Sequence, residues 1–173
     1  MSDLSGKRVV MVIASDGFRD EEFNEPYNLL RERGARVTVA SSALGTRKGM
    51  LGGLAEAEEL VSNIAVADYD AVVFVGGTGS SEYFDDATAH GIARDAASAG
   101  KVLGAICIAP STLANAGVLK GRKATSYPSE RDNLVVGGAE FTGAAVEVDG
   151  RIITADGPDS ANRFAEAIAE VLQ

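Results

Sequence analysis

One cysteine, one histidine and no tryptophan stand among the 173 residues of this chain. A lone cysteine rules out an internal disulfide. With one histidine beside it, the chain falls short of an ordinary zinc ligand set, so no metal is expected. Positive charge is scarce as well: 16 Lys and Arg face 25 Asp and Glu, for a net charge of −9 and a pI near 4.6. A surface this acidic repels phosphate, which argues against nucleic acid and against anionic membranes as partners. Long apolar runs are missing too. The opening MSDLSGKRVVMVIASDG is interrupted too soon for a signal peptide or a membrane span, and a cytoplasmic protein is expected.

What is present is an ordinary globular composition, 46% hydrophobic with a mean hydropathy of +0.05. The length suits one domain over residues 1–173. Continuous apolar runs at 8–14 (RVVMVIA), 36–41 (RVTVAS), 69–77 (YDAVVFVGG) and 101–106 (KVLGAI) read as strands buried on both faces, the habit of parallel sheets. Helical patterns lie between them. Phe23, Tyr27 and Leu30 form a stripe closed by Gly34, with Pro26 in the first turn or at a kink. Residues 88–100 form an amphipathic helix stopped by Gly100. A third helix, APSTLANAGVL, carries Pro110 in its first turn. Residues 146–154 read as a β-hairpin about an Asp-Gly turn. A last helix is capped by Ser160 and buries Phe164, Ala165, Ile168 and Leu172. Within residues 42–66, the glycine-rich LGTRKGMLGGL could form a hairpin, and AEAEELVSNI could be a helix or a loop. The alternation specifies a three-layer α/β sandwich with a mainly parallel, flavodoxin-like sheet, a nucleophile elbow and a β-hairpin.

In such sheets the functional crevice lies beyond the carboxyl ends of the strands. The loop after Ala14, the glycines after Val75 and Cys107 after Ile106 should meet there. Cys107 ends an apolar strand just before a helix, with the small residues Ala105 and Ala109 two positions to either side. This is the spacing that lets a strand turn sharply into a helix and expose a nucleophile. The start of a helix would also lower the thiol pKa. The competing reading is a small buried hydrophobe, which free cysteine often is.

The stretch GAICIAPSTLANAGVLKGRKAT, with EEFNEP after the first strand, VFVGG, and VEVDGRIITADGP near the end, resembles the DJ-1/PfpI (ThiJ/PfpI) superfamily in order over nearly the whole chain. The resemblance assigns Glu22, four residues before Pro26, to the family's carboxyl group beside the cysteine. It assigns the backbone N–H groups of Gly77 and Ile108 to the oxyanion site. It also implies a homodimer or a larger symmetric assembly. Asp20, Glu21 and Glu25 are expected on a solvated acidic face.

Three positions depart from the family pattern. Ile108 stands where the peptidase-like branch has histidine after the cysteine, and Glu82 then loses the histidine that its counterpart assists. Tyr127 precedes Pro128 where the DJ-1 branch has histidine, making Tyr127 a candidate substrate contact. Asp156 occupies a common arginine position. His90, on a predicted helix, reads as a surface residue. The resemblance therefore implies cysteine-dependent chemistry on small reactive carbonyls, of glyoxalase or protein deglycase type. The substrate would be a small carbonyl or a glycated protein, and no cofactor is required. The alternatives are an oxidative-stress sensor whose Cys107 becomes a sulfinate held by Glu22, and a cysteine peptidase or amidase. VGGTGSS after a strand lacks the lysine of a P-loop and the third glycine of a dinucleotide fingerprint.

Overall fold

The computed structural model describes residues 2–173. Its strands are β1 (Arg8–Val12), β2 (Asp16–Phe18), β3 (Arg36–Ser41), β4 (Gly45–Gly49), β5 (Leu54–Ala57), β6 (Glu59–Leu60), β7 (Ala71–Phe74), β8 (Val102–Ile106), β9 (Lys123–Ala124), β10 (Glu140–Phe141), β11 (Val146–Asp149) and β12 (Ile152–Ala155). The helices are α1 (Asp20–Glu32), α2 (Ala87–Ser98), α3 (Pro110–Asn115), α4 (Arg131–Val136) and α5 (Ala161–Leu172). The main sheet runs β11-β12-β8-β7-β1-β3-β6. Every pairing in it is parallel except β11 with β12. β1 is central, with Met11 opposite Val39 on one side and Val73 on the other.

The continuous apolar runs are explained by two covered faces. Along β1, Val9 and Met11 point into a core shared with Phe23, Leu30, Phe164 and Ile168 of α1 and α5. Val10 and Val12 point into the opposite core, with Ile92 and Ala93 of α2 and Leu113 of α3. The same alternation runs through β7 and β8, giving the expected three layers. Gly104 in β8 is needed for space: a Cβ there would stand 3.1 Å from Cζ of Phe164. In α5 the predicted stripe is buried, and each large apolar side chain on it contributes about 1.5–3 kcal/mol.

The glycine-rich stretch does form a hairpin. β4 and β5 pair antiparallel, and β2 joins the pair as a third strand. The stretch AEAEELVSNI forms β5, β6 and a 3-10 turn rather than a helix. Its alternation of Ala55 and Ala57 inward with Glu56 outward has the strand period of two. The late hairpin is present, but its two-residue turn is Gly150-Arg151 rather than Asp149-Gly150. Gly150, at φ +63°, takes the first turn position, while Asp149 accepts from the Lys123 N–H at 2.9 Å. Ser160 sits at the start of α5 without capping it, because its hydroxyl donates to Asp156 Oδ1 at 2.6 Å. Pro26 lies inside α1 rather than in its first turn. It supplies no N–H to the backbone carbonyl of Glu22 four residues earlier. Among the described residues no helix is long and apolar enough to cross a membrane.

Candidate active site

The three predicted segments do meet at the carboxyl ends of the strands. β8 ends at Ile106, and Cys107 then adopts φ +65°, the one positive φ of a non-glycine residue among those described. That conformation costs about 1–2 kcal/mol for an L-residue. Two backbone bonds hold it: Cys107 N–H to Ala155 O at 2.9 Å, and Tyr127 N–H to Cys107 O at 2.8 Å. The first ties the elbow to β12. The second brings the loop after β9 over the thiol.

Glu22 reaches the thiol from α1 and is completely buried. Neither of its carboxyl oxygens has a hydrogen-bond partner at bonding geometry. The Cys107 thiol and the Gly76 N–H act on it as close neighbours rather than as full partners. Burial pushes its pKa from 4.5 up to about 8. Gly76 is what makes room for the pair. A Cβ there would fall on Glu22 Oε1 and stand 2.6 Å from both Cys107 Cβ and Ile106 O. Gly77, at φ +106°, closes the turn where the Arg19 N–H donates to Gly76 O at 2.9 Å.

The thiol corrects one expectation. Burial, and then the adjacent Glu22, push the Cys107 pKa up to about 12. The N–H groups of Gly77 and Ile108 favour the thiolate and offset only part of this rise. The expected lowering by a helix start fails because α3 begins three residues later, at Pro110, and is only six residues long. Cys107 and Glu22 therefore do not ionise together near neutral pH: the pair carries at most one negative charge, and Glu22 gives up its proton first.

A pocket of ≈ 340 Å³ opens over the thiol. It is lined by Gly77, Cys107, Ile108 and Tyr127, all singled out in the sequence, and by Arg19, Met50, Thr78, Ser129 and Pro158, which were not. Glu22 lies beneath this lining. Tyr127 is half-exposed at the rim. The acidic cluster around Glu22 is divided rather than uniformly solvated. Asp20 is buried, and its Oδ2 accepts from the Leu51 N–H at 2.8 Å, fixing the β4–β5 turn. Glu21 pairs both oxygens with Arg19 at 3.0 Å, and Glu25 stays exposed. The Arg19 fork holds Glu21 below its ordinary pKa.

His90 takes no part in this site. Its Nε2 is bonded to Phe84 O at 2.6 Å, and α2 packs on the other face of the sheet. Glu82 accepts from the Ser15 N–H at 2.8 Å. Asp156 is engaged by Ser160. Arg19 and Met50 were missed because they come from the loop before α1 and the β4–β5 turn, and no local pattern says that these fold over β8.

The DJ-1/PfpI family pattern matches residues 7–171. The chain belongs to the DJ-1/PfpI family. Deglycase PH1704 of Pyrococcus horikoshii is 35% identical over 149 residues, covering 86% of this chain and 90% of the relative. An uncharacterized Methanocaldococcus jannaschii protein is 37% identical over 174 residues, covering 99% and 85%. The crystal structure of a ThiJ/PfpI domain protein from Brachyspira murdochii superposes with a TM-score of 0.94 at 32% identity, over 96% of this chain and 98% of that one. The elbow, the hairpin and the parallel sheet thus belong to an established family fold.

Proposed function

We propose that this protein is a cysteine-dependent enzyme acting on small reactive carbonyls through Cys107 and Glu22. The observation that carries the reading is a buried carboxyl group without a partner, set beside a thiol held at positive φ under a pocket. A group titrating near 8 can both give and take a proton at neutral pH. Several relatives named deglycases support the same chemistry.

For a 2-oxoaldehyde the steps balance without an external oxidant. Cys107 Sγ adds to the aldehyde carbon, and the carbonyl electron pair moves to oxygen, which takes up the thiol proton. The Gly77 and Ile108 N–H groups hold that oxygen while it carries charge. Glu22, as carboxylate, removes the proton from the former aldehyde carbon and returns it to the neighbouring ketone carbon, while the hydroxyl proton on the first oxygen passes to the second. The first carbon is oxidised to a thioester and the second is reduced to an alcohol. Water cleaves the C–S bond, releasing a 2-hydroxy acid and restoring the thiol. An early adduct on a protein amine or thiol is in equilibrium with the free aldehyde, so consuming the aldehyde also deglycates the protein. Tyr127, at the rim, is a substrate contact in this reading.

Peptidase chemistry has no histidine base here, since Ile108 follows the thiol and His90 is bonded to Phe84. The sensor reading needs only that Cys107 oxidise to a sulfinate held by Glu22, and no substrate. The experiment is mass spectrometry of Cys107 in the reduced protein, after methylglyoxal and separately after dilute peroxide. Methylglyoxal loss with a transient adduct on Cys107 supports the enzyme. No loss, with ready sulfinate formation, would replace it by the sensor.

A further inference from the structure

Arg19 is the one charged residue in the lining of the pocket over Cys107. The rest of the lining is apolar or neutral, Met50, Gly77, Ile108 and Pro158 included. The Arg19 guanidinium is pinned from one side. Its Nε and one terminal nitrogen each donate to Glu21 at 3.0 Å. A guanidinium has five N–H donors, so this fork leaves three unspent. Arg19 lines the pocket and Glu21 does not. Arg19 and Cys107 line the same pocket, so a molecule bound there meets both. Against a net charge of −9, a fixed cation in a concave site is a local exception, and such sites concentrate anions.

We infer that Arg19 is a specificity residue that selects carbonyl substrates bearing a carboxylate or phosphate, held by the free edge of its guanidinium while the aldehyde meets Cys107. This deepens, and rests on, the carbonyl reading given above. Planar, bidentate recognition of carboxylate and phosphate is what arginine does better than lysine. Glu21 acts as a positioning residue: it keeps the fork oriented and is itself exposed enough to leave it hydrated. The preferred substrate is then a 2-oxoaldehyde with an anionic tail, or its early adduct, with uncharged methylglyoxal turned over at a lower kcat/KM.

The test compares alkylation of Cys107 by iodoacetate and by iodoacetamide, two reagents of nearly equal size that differ in charge. This readout needs no turnover, so it separates failure of this inference from failure of the carbonyl reading. The ratio of the iodoacetate rate to the iodoacetamide rate should fall about tenfold in Arg19→Gln and in Arg19→Met. Arg19→Lys should keep the ratio within about threefold of wild type, because it retains the charge and loses the fork. Arg36→Gln removes an exposed cation at the start of β3, at the opposite end of the sheet, and should leave the ratio in place. In turnover, the kcat/KM ratio of 4,5-dioxovalerate to methylglyoxal should fall in step with the alkylation ratio. If the neutral variants leave the alkylation ratio where it is, or if Arg36→Gln moves it as much, the inference is overturned. If the alkylation ratio falls while neither aldehyde is consumed, Arg19 is still the anion selector and the carbonyl reading is the part that fails.

Discussion

Replacing Glu22 by glutamine should make the protein more stable as pH rises, relative to wild type. In the folded chain the carboxyl titrates near 8 rather than 4.5, because it is buried. Between those values the native state binds a proton that the unfolded state has released. For a carboxyl with a raised pKa, the stabilising contribution is complete below about 4.5, declines through the window, and is gone above about 8. The slope is at most about 1.4 kcal/mol per pH unit. Water penetration and relaxation around a buried group reduce the total, leaving about 2–4 kcal/mol between pH 5 and pH 8. Glutamine keeps the shape and cannot ionise, so it removes this slope. The Cys107 shift does not interfere, since it acts only above the ordinary thiol pKa of 9. The assay is urea unfolding of wild type and Glu22→Gln at pH 5, 6.5 and 8, in reductant and at one protein concentration. The gap in midpoint should open by roughly 1 M urea from pH 5 to pH 8. Parallel pH profiles for the two proteins would refute the burial argument.

Three further outcomes follow from the same geometry. Gly76→Ala places a methyl group against Glu22 and Cys107 and should cost about 2–4 kcal/mol in chemical denaturation; wild-type stability with intact thiol reactivity would contradict the packing described. Cys107→Gly should be more stable than Cys107→Ala by about 0.5–1 kcal/mol, since only glycine relaxes at φ +65°, and equal denaturation midpoints would show that the elbow is unstrained. Tyr83 donates its hydroxyl to Ile13 O at 2.7 Å and accepts from the Ser42 N–H at 3.1 Å, so Tyr83→Phe should lose about 1–3 kcal/mol in thermal or urea unfolding.

The layered fold was legible because β1, β3, β7 and β8 are apolar on both faces, and the helices between them carry one-sided stripes. Cys107 was legible for a local reason: a strand end, small neighbours and a helix signal lie within a few residues. Its titration was not. The thiol's environment is set by Glu22 arriving from α1 and by the distance to α3, neither of which spacing around the cysteine reveals. Glu22 itself became legible only through the family resemblance, as Asp20, Glu21 and Glu25 are acidic too. What sorts them is tertiary: Asp20 meets the β4–β5 turn, Glu21 meets Arg19, and Glu22 faces the gap left by Gly76. Arg19 and Met50 were invisible for the same reason. β4 and β5 were ambiguous because a glycine-rich tract carries too few side chains to show a period. β9, β10 and α4 are too short to announce themselves, and are held by their neighbours more than by their own pattern.

Lactate formation from methylglyoxal by the reduced protein tests the central claim most directly, because this product requires both the thiol addition and the internal proton transfer. The account predicts lactate in step with methylglyoxal loss, none above background with Cys107→Ala, and a rate lowered about 10²–10⁴-fold with Glu22→Gln. Undiminished lactate formation by folded Cys107→Ala, or none by folded, reduced wild type, would contradict it.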